Sequence, residues 1–476
     1  MWNLLIVFLL LGLTVTTAVD ADLDVDALAE AYREFDMERR EGKGFSESAD
    51  SATLGWAQGS IITSYINMWE ATGDSYWLGK ISEHFHRIMA NASDPEGDGF
   101  LSWYTTRYSS VVAWAERLHN VSAAEIAPDV QKITRREEAE LCTGHTYLID
   151  FLENAESFRV LDWDTREVIA DDLTHDGVET VVTEIAPFSF TITGATHQGD
   201  RFLVRTKARE PMRYVVHQGL FLYPVARFIE TVQERPELHD QFGADAAEFL
   251  QFINRNVFEK NERDWLDMGE LGGAYRCEPK ITARAPNRVI PHNQYAELAR
   301  VWLVLQDVEG AHPLIARRAE QMVRYFHSHL FLDEENDAYY WRYSNWIEFG
   351  EPRHHFAEDV FESYGYGNID VAFAIEAARR GVIFTEEDMN RFVNTWLHVM
   401  WNQDTAEPLM AARVDGTTPY RHPALAAGWG QLSQWDEQVY DLALTAFLAR
   451  EGADRIPVAP TILLSAARAG RLEVDR

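Results

Sequence analysis

The sequence predicts a helix-dominated fold, a ring of about six helical hairpins carrying one small β insertion, in a single domain over residues 22–476. Two patterns carry the prediction. Helix–turn–helix units recur along the chain, and only one stretch switches from helical to two-residue periodicity.

The first unit reads "SATLGWAQGSIITSYINMWEATGD". It places Leu54, Ala57, Ile61, Tyr65 and Met68 on one helical face, and a "TGD" turn leads to a second helix with Ile81, Phe85 and Ile88. Helix 214–233 then meets helix 238–258 through "ERPEL", and helix 292–308 meets 312–330 through "EGAHP". Helix 370–380 meets 386–401 through "RGVIFT", and the pair 434–449 and 459–468 completes the ring. Residues 158–206 contain "VETVVT", "FSFTITG" and "RFLVRT", alternating apolar and polar between the turns Asp176-Gly177 and Gly199-Asp200. With no Pro/Gly/Ser linker around it, this β hairpin or small sheet reads as a lobe of the same domain.

The composition narrows the function classes. The formal net charge is −33, and only Lys43, Lys80, Lys132, Lys207, Lys260 and Lys280 are lysines among the 43 basic residues. Such a surface excludes nucleic acid as a partner and suits high salt, where self-repulsion is screened. An anionic ligand must be met by a local arginine and histidine cluster, since the global field repels it. Aromatics are 12% of the chain, with 15 tryptophans, more than a core alone needs, and stacking on sugar faces is one use for the excess. The opening "MWNLLIVFLLLGLTVTTAVDAD" has an apolar run too short to span a bilayer, followed by small residues, so residues 1–21 read as a signal peptide. The mature chain is then exported, periplasmic or secreted, without a membrane segment. Cys142 and Cys277 give no disulfide framework and no Cys/His metal spacing, and whether they pair stays open. Nothing requires a metal or an organic cofactor.

Three stretches resemble the (α/α) toroid class of carbohydrate-active proteins, which holds six-hairpin glycoside hydrolases and several polysaccharide lyase families. "VVHQGLFLYPVARFIE" (215–230) resembles a barrel-lining helix with an inward histidine, and "VIPHNQYAELARVWLVL" (289–305) resembles the opening of the next inner helix. "ESYGYGNIDVAFAIEAARRGVIFTEEDM" (362–389) resembles an E-D-x-x-H-G-x-x-D pattern of uronate-acting enzymes, with Tyr366 where that pattern has histidine. The likeness covers residues 200–400, about two fifths of the chain. It implies action on an acidic polysaccharide.

For β-elimination from a uronate, the sugar carboxylate must be neutralised before a side chain removes the C5 proton. The expected catalytic set is Asn293 and one histidine, His217 or one of His354 and His355, neutralising the carboxylate, Arg353 orienting the sugar, and Tyr366 or Tyr364 as base and acid. Glycines beside Tyr364 and Tyr366 imply a loop that lets a hydroxyl approach the sugar, with Asp370 starting the following helix. Sugar-stacking walls are expected from "FLSWYTTRYSS" and "YYWRYSNWIEFG", namely Trp103, Tyr104, Trp341, Tyr343 and Trp346, with Arg107 and Arg342 for carboxylates. His292, Trp435 and Asp436 complete the binding set. Two other readings stand beside this one. An inverting glycoside hydrolase would use carboxylates among Glu358, Asp359, Asp370 and Asp436. A non-catalytic glycan-binding protein of the same fold would use no catalytic group at all.

Overall fold

The computed structural model describes residues 23–107, 112–119, 122, 124–129, 145–151, 155–175, 189–207, 210–276, 289–344 and 361–472. The body is helical and about 53% of the chain is helix. Helix α1 is Val25–Glu38 and α2 is Ser51–Thr53, which continues through a π-helical turn, Leu54–Gln58, into α3 (Gly59–Thr72). Then come α4 (Tyr76–Ala90), α5 (Val215–Glu234), α6 (His239–Phe252), α7 (His292–Leu305) and α8 (Ile315–His327). The last four are α9 (Tyr364–Arg379), α10 (Glu386–Asn394), α11 (Glu437–Leu448) and α12 (Ala459–Arg468).

The helices fall into two layers. In the inner layer α3 packs on α5, α5 on α7, α7 on α9, α9 on the 3-10 turn Trp429–Gln434, that turn on α12, and α12 back on α3. The neighbours therefore form a closed cycle. Helices α4, α6, α8, α10 and α11 pack outside α3, α5, α7, α9 and α12, and α1 lies against α12 and α3. Burial follows position. Every residue of α7 is buried, whereas the outer α8 buries Ile315, Ala319, Met322, Val323, Tyr325 and Phe326 and exposes the opposite face.

Two glycines allow the inner helices to approach closely. A Cβ on Gly219 of α5 would lie 2.5 Å from the Glu297 carbonyl carbon and the Leu298 nitrogen of α7, and one on Gly55 would lie 2.7 Å from the His217 Cα. Both obstacles are backbone, which cannot swing aside. Gly219→Ala is therefore expected to cost about 3 kcal/mol, the upper end of overpacking penalties, read as a lowered denaturation midpoint with an unchanged slope.

The β lobe is larger than residues 158–206. Strands β1 (Val112–His119), β2 (Glu125–Asp129), β3 (Thr146–Asp150), β4 (Ser157–Asp162), β5 (Val168–Thr174), β6 (Ser189–Thr193) and β7 (Arg201–Lys207) form a five-stranded antiparallel sheet, β1-β7-β3-β4-β5, and a β2-β6 pair. "VETVVT" lies outside the described residues. The lobe has its own core, including Tyr147, Ile149, Phe151, Phe158, Phe190 and Phe202. Its stem is pinned by reciprocal backbone hydrogen bonds of 3.0 Å between Thr105 and Met212. Both ends of the lobe thus return to the rim where α2 and α5 begin. Among the described residues no helix is long and apolar enough to cross a membrane. Residues 1–21, expected to be a signal peptide, and Cys142 and Cys277 lie outside the described residues.

Candidate functional site

The first turns of α2, α5, α7 and α9 are joined by side-chain contacts, so four helix N-termini open at one rim of the ring. Asp50 caps α2 through its carboxylate, and Ser363 caps α9 by accepting from the Tyr366 amide. From α2, the Ser51 hydroxyl lies 3.1 Å from His217 Nδ1 in the first turn of α5. Trp56, on the π turn, sets its ring 5.9 Å from the His217 imidazole and 6.4 Å from the Tyr366 phenol. Tyr343 continues the row, 6.0 Å from Tyr366, and its hydroxyl accepts from Gln294 Nε2 at 3.0 Å. Tyr214 stands edge-on to His217 at 4.8 Å. Trp56 is 37% exposed and Tyr366 43%, so this aromatic row faces solvent.

Charge is arranged around that row. Arg107, on the lobe stem, pairs with Asp50 at 2.8 Å and donates to the Thr53 hydroxyl at 2.7 Å. Burial alone pushes the Asp50 carboxyl up, but hydrogen bonds from Thr105 and Thr53, with the Arg107 charge, outweigh it and hold Asp50 ionised. Burial pushes the His217 imidazole down to about 3, so it is neutral at ordinary pH. Asn293 Nδ2 donates to Glu362 Oε2 at 3.0 Å, and the Ser363 amide donates to Glu362 Oε1 at 2.6 Å. Burial nevertheless raises Glu362 to about 7, and burial, followed by the Glu362 charge, raises Asp370 well above the carboxylate range. Each helix N-terminus adds on the order of half a positive charge, which offsets part of the negative charge that Asp50 and Glu362 bring to the rim.

The structure thus gathers Tyr366, Tyr343, Arg107, His217 and Asn293 from among the expected residues. Two of them sit deeper than expected: His217 and Asn293 are buried, behind Trp56 and beside Glu362. Tyr364–Gly367 are not a loop but the first turn of α9, and Asp370 lies inside that helix instead of starting it, accepting from Trp341 Nε1 at 2.8 Å. Gly367 sits in a tight packing corner, where a Cβ would meet side-chain atoms of Val414 at 3.0 Å and Trp429 at 3.2 Å.

Several expected residues lie elsewhere. Tyr364 stacks on His422 at 4.4 Å and donates to the Pro423 carbonyl at 2.9 Å, a packing role. Trp103 and Trp341 are fully buried, the former donating to the Ile88 carbonyl at 2.8 Å, so neither is a sugar wall. Trp103→Ala is expected to cost about 4 kcal/mol of stability, read as a lowered denaturation midpoint. Tyr104 is buried and its hydroxyl faces Lys260, with burial raising its pKa. His292 is buried in the core, 2.6 Å from the Tyr295 hydroxyl, with burial and then the neighbouring His329 pushing its pKa far down. Arg342 lies over the Phe331 ring at 5.4 Å. Asp436 caps α11 by accepting from the Gln438 amide, with Trp435 packed beside it. Trp346, Arg353, His354, His355, Glu358 and Asp359 lie outside the described residues.

Asp50, Ser51, Trp56, Tyr214, Gln294 and Glu362 were not singled out from the sequence. Trp56 carried a signal, a tryptophan off the Leu54–Ala57–Ile61 stripe of its helix. Among the described residues one group could hold a metal ion: His145, Asp162 and Asp164 in the lobe offer ligand atoms within 4.8 Å of one another. All three are also engaged locally, His145 with Asp162 at 2.5 Å and Asp164 with the Thr146 amide at 2.7 Å.

No protein-family model matches the chain, and no curated protein does. Matches among solved structures include two crystal forms of FlgL from Xanthomonas campestris, at 14% and 13% identity. They span 49% and 42% of this chain and 87% and 76% of theirs, with TM-scores of 0.16. At that score the likeness carries no argument about fold or function.

Proposed function

We propose that the closed cycle of inner helices is an (α/α) toroid and that the protein is an exported lyase cleaving a uronate-containing polysaccharide by β-elimination. The observation that carries this reading is the rim itself: four helix N-termini and Arg107 around an exposed Trp56–Tyr366–Tyr343 row. Trp56 offers a sugar-stacking face, and Arg107 with the helix termini offers positive potential for the C5 carboxylate. Tyr366, as its phenolate, takes the C5 proton; the C5–H electron pair becomes the C4–C5 double bond as the C4–O4 bond breaks, and the phenol so formed gives that proton to the departing O4. His217 and Asn293 act as positioning residues, holding Ser51 and Glu362 behind the aromatic row.

One observation favours a second reading, an inverting glycoside hydrolase. Glu362 is pushed up and Asp50 down, the divergence that separates a general acid from a base. Product analysis decides between them. Elimination creates one C4–C5 double bond for each new reducing end, whereas hydrolysis creates reducing ends alone. A one-to-one ratio supports the lyase, and reducing ends without unsaturation would replace it with the hydrolase.

A further inference from the structure

Inside the ring lies a cavity of about 480 Å³, within the size range of small-molecule sites. Trp56 and Gly365 line it, so it adjoins the rim just described. Its lining then runs along α3 through Ser60, Asn67 and Glu70, and along α12 through Thr461, Leu464 and Arg468. Three arginines line it, Arg39, Arg300 and Arg468, against two carboxylates, Glu70 and Glu297.

Pairing makes the imbalance clearer. Glu297 is taken by Arg300 at 3.1 Å, and Glu70 is shared by Arg468 and Arg227. Among the described residues Arg39 has no carboxylate within ion-pair distance. Arg379 has none either, although it lies one layer behind the lining. Gly365, Asn368 and Ala372 face the cavity from α9, and helical spacing continues that stripe through Glu376 to Arg379. The Arg379 guanidinium is held by neutral groups only, Gln434 Oε1 and Gln431 Oε1, both at 3.0 Å, and its Nη2 is buried without a hydrogen-bond partner. Gln431 and Arg468 both line the cavity. Burial, followed by the nearby Arg468 charge, pushes Arg379 down to about 10, and the Glu376 and Glu70 charges offset only part of that. A buried charge is tolerated when a partner neutralises it, and in a chain of net charge −33 the surplus here is cationic.

We infer that this cavity is a binding subsite for one carboxylate-bearing sugar residue, with Arg468 and Arg39 meeting the carboxylate, Arg379 supplying positive charge from behind, and Trp56 at its entrance. The inference rests on the uronate reading for the identity of the ligand, and it adds a second sugar position beside the one whose carboxylate faces Arg107 at the rim. Arg379 is a positioning residue here, because it acts through Arg468 and Gln431.

The test is calorimetric titration of the mature full-length protein with glucuronate and galacturonate, set against glucose, galactose and sodium sulfate at constant ionic strength. The uronates should bind at least 10-fold more tightly than the neutral sugars. R379Q and R468Q should each remove that preference. K80Q is the folding control, since it too removes a buried cation but lies outside the cavity, and it should keep the preference. Equal affinity for acid and neutral sugars overturns the inference, as does an intact preference in R379Q, or sulfate binding as tight as uronate binding. The elimination assay is read separately. Polymer cleavage without uronate binding would overturn this subsite alone, and uronate binding without polymer cleavage would overturn the lyase alone.

Discussion

On the elimination reading proposed above, replacing Tyr366 by phenylalanine lowers turnover on the cognate polymer about 10²- to 10⁴-fold, the usual contribution of a positioned acid–base group, with a much smaller effect on stability. The asymmetry follows from where the hydroxyl sits. The ring is 43% exposed and rests against Trp56 and Tyr343, contacts that phenylalanine keeps. The substitution removes the hydroxyl that the elimination reading uses as base and acid. Tyr364→Phe is the matched comparison, because that hydroxyl donates to the Pro423 carbonyl away from the rim. It should cost about 1 kcal/mol of stability and leave turnover within a few-fold of wild type. Steady-state rates and thermal midpoints for the two variants check both statements, and the opposite pattern would move the base to Tyr364.

The second large effect is on stability and concerns Glu362. Its folded pKa lies near 7, above its ordinary 4.5, so the folded state binds the extra proton. The corresponding stabilisation is fully present below pH 4.5 and is lost as pH rises through 7. The span amounts to roughly 3 kcal/mol, converted at about 1.4 kcal/mol per pKa unit. Glu362→Gln abolishes the titration but gives up about 1 kcal/mol, because one hydrogen bond to Asn293 or Ser363 becomes a mismatch. The variant should therefore be slightly less stable than wild type at pH 4 and about 2 kcal/mol more stable above pH 8. Denaturant unfolding across that range checks the crossing, and parallel curves would refute a raised Glu362.

The sequence showed the helical hairpins plainly because each outer helix has a polar face that makes its period visible, as in α8. It was less clear where partners far along the chain decide the outcome. Strand β1 contains Ala113, Ala115, Glu116 and Arg117, poor strand formers, and it exists through pairing with β7 some ninety residues later. The glycine-rich turn at 364–367 read as a loop because the helix-start signal, Ser363 accepting from Tyr366, is only one residue, and because Gly367 is there for Val414 and Trp429. Trp103 and Trp341 suggested sugar walls by their company in aromatic-rich stretches. Each found a buried acceptor for its indole N–H, the condition for placing a tryptophan in a core. His217, Asn293 and Tyr366 were picked out from the sequence, and each lies in the first turn of an inner helix, where the closed cycle of helix neighbours brings them near one another. Trp56, Asp50 and Glu362 were not, because their meaning depends on which helices are neighbours.

The most direct measurement is a crystal structure of Tyr366→Phe soaked with a short uronate oligosaccharide drawn from alginate, glucuronan, ulvan or a glycosaminoglycan. The expected result is a sugar ring stacked on Trp56, with its carboxylate toward Arg107 and its C5 beside the edge of the substituted phenyl ring. A sugar held instead on the β lobe or against Trp435 and Asp436, with the rim empty, would contradict it.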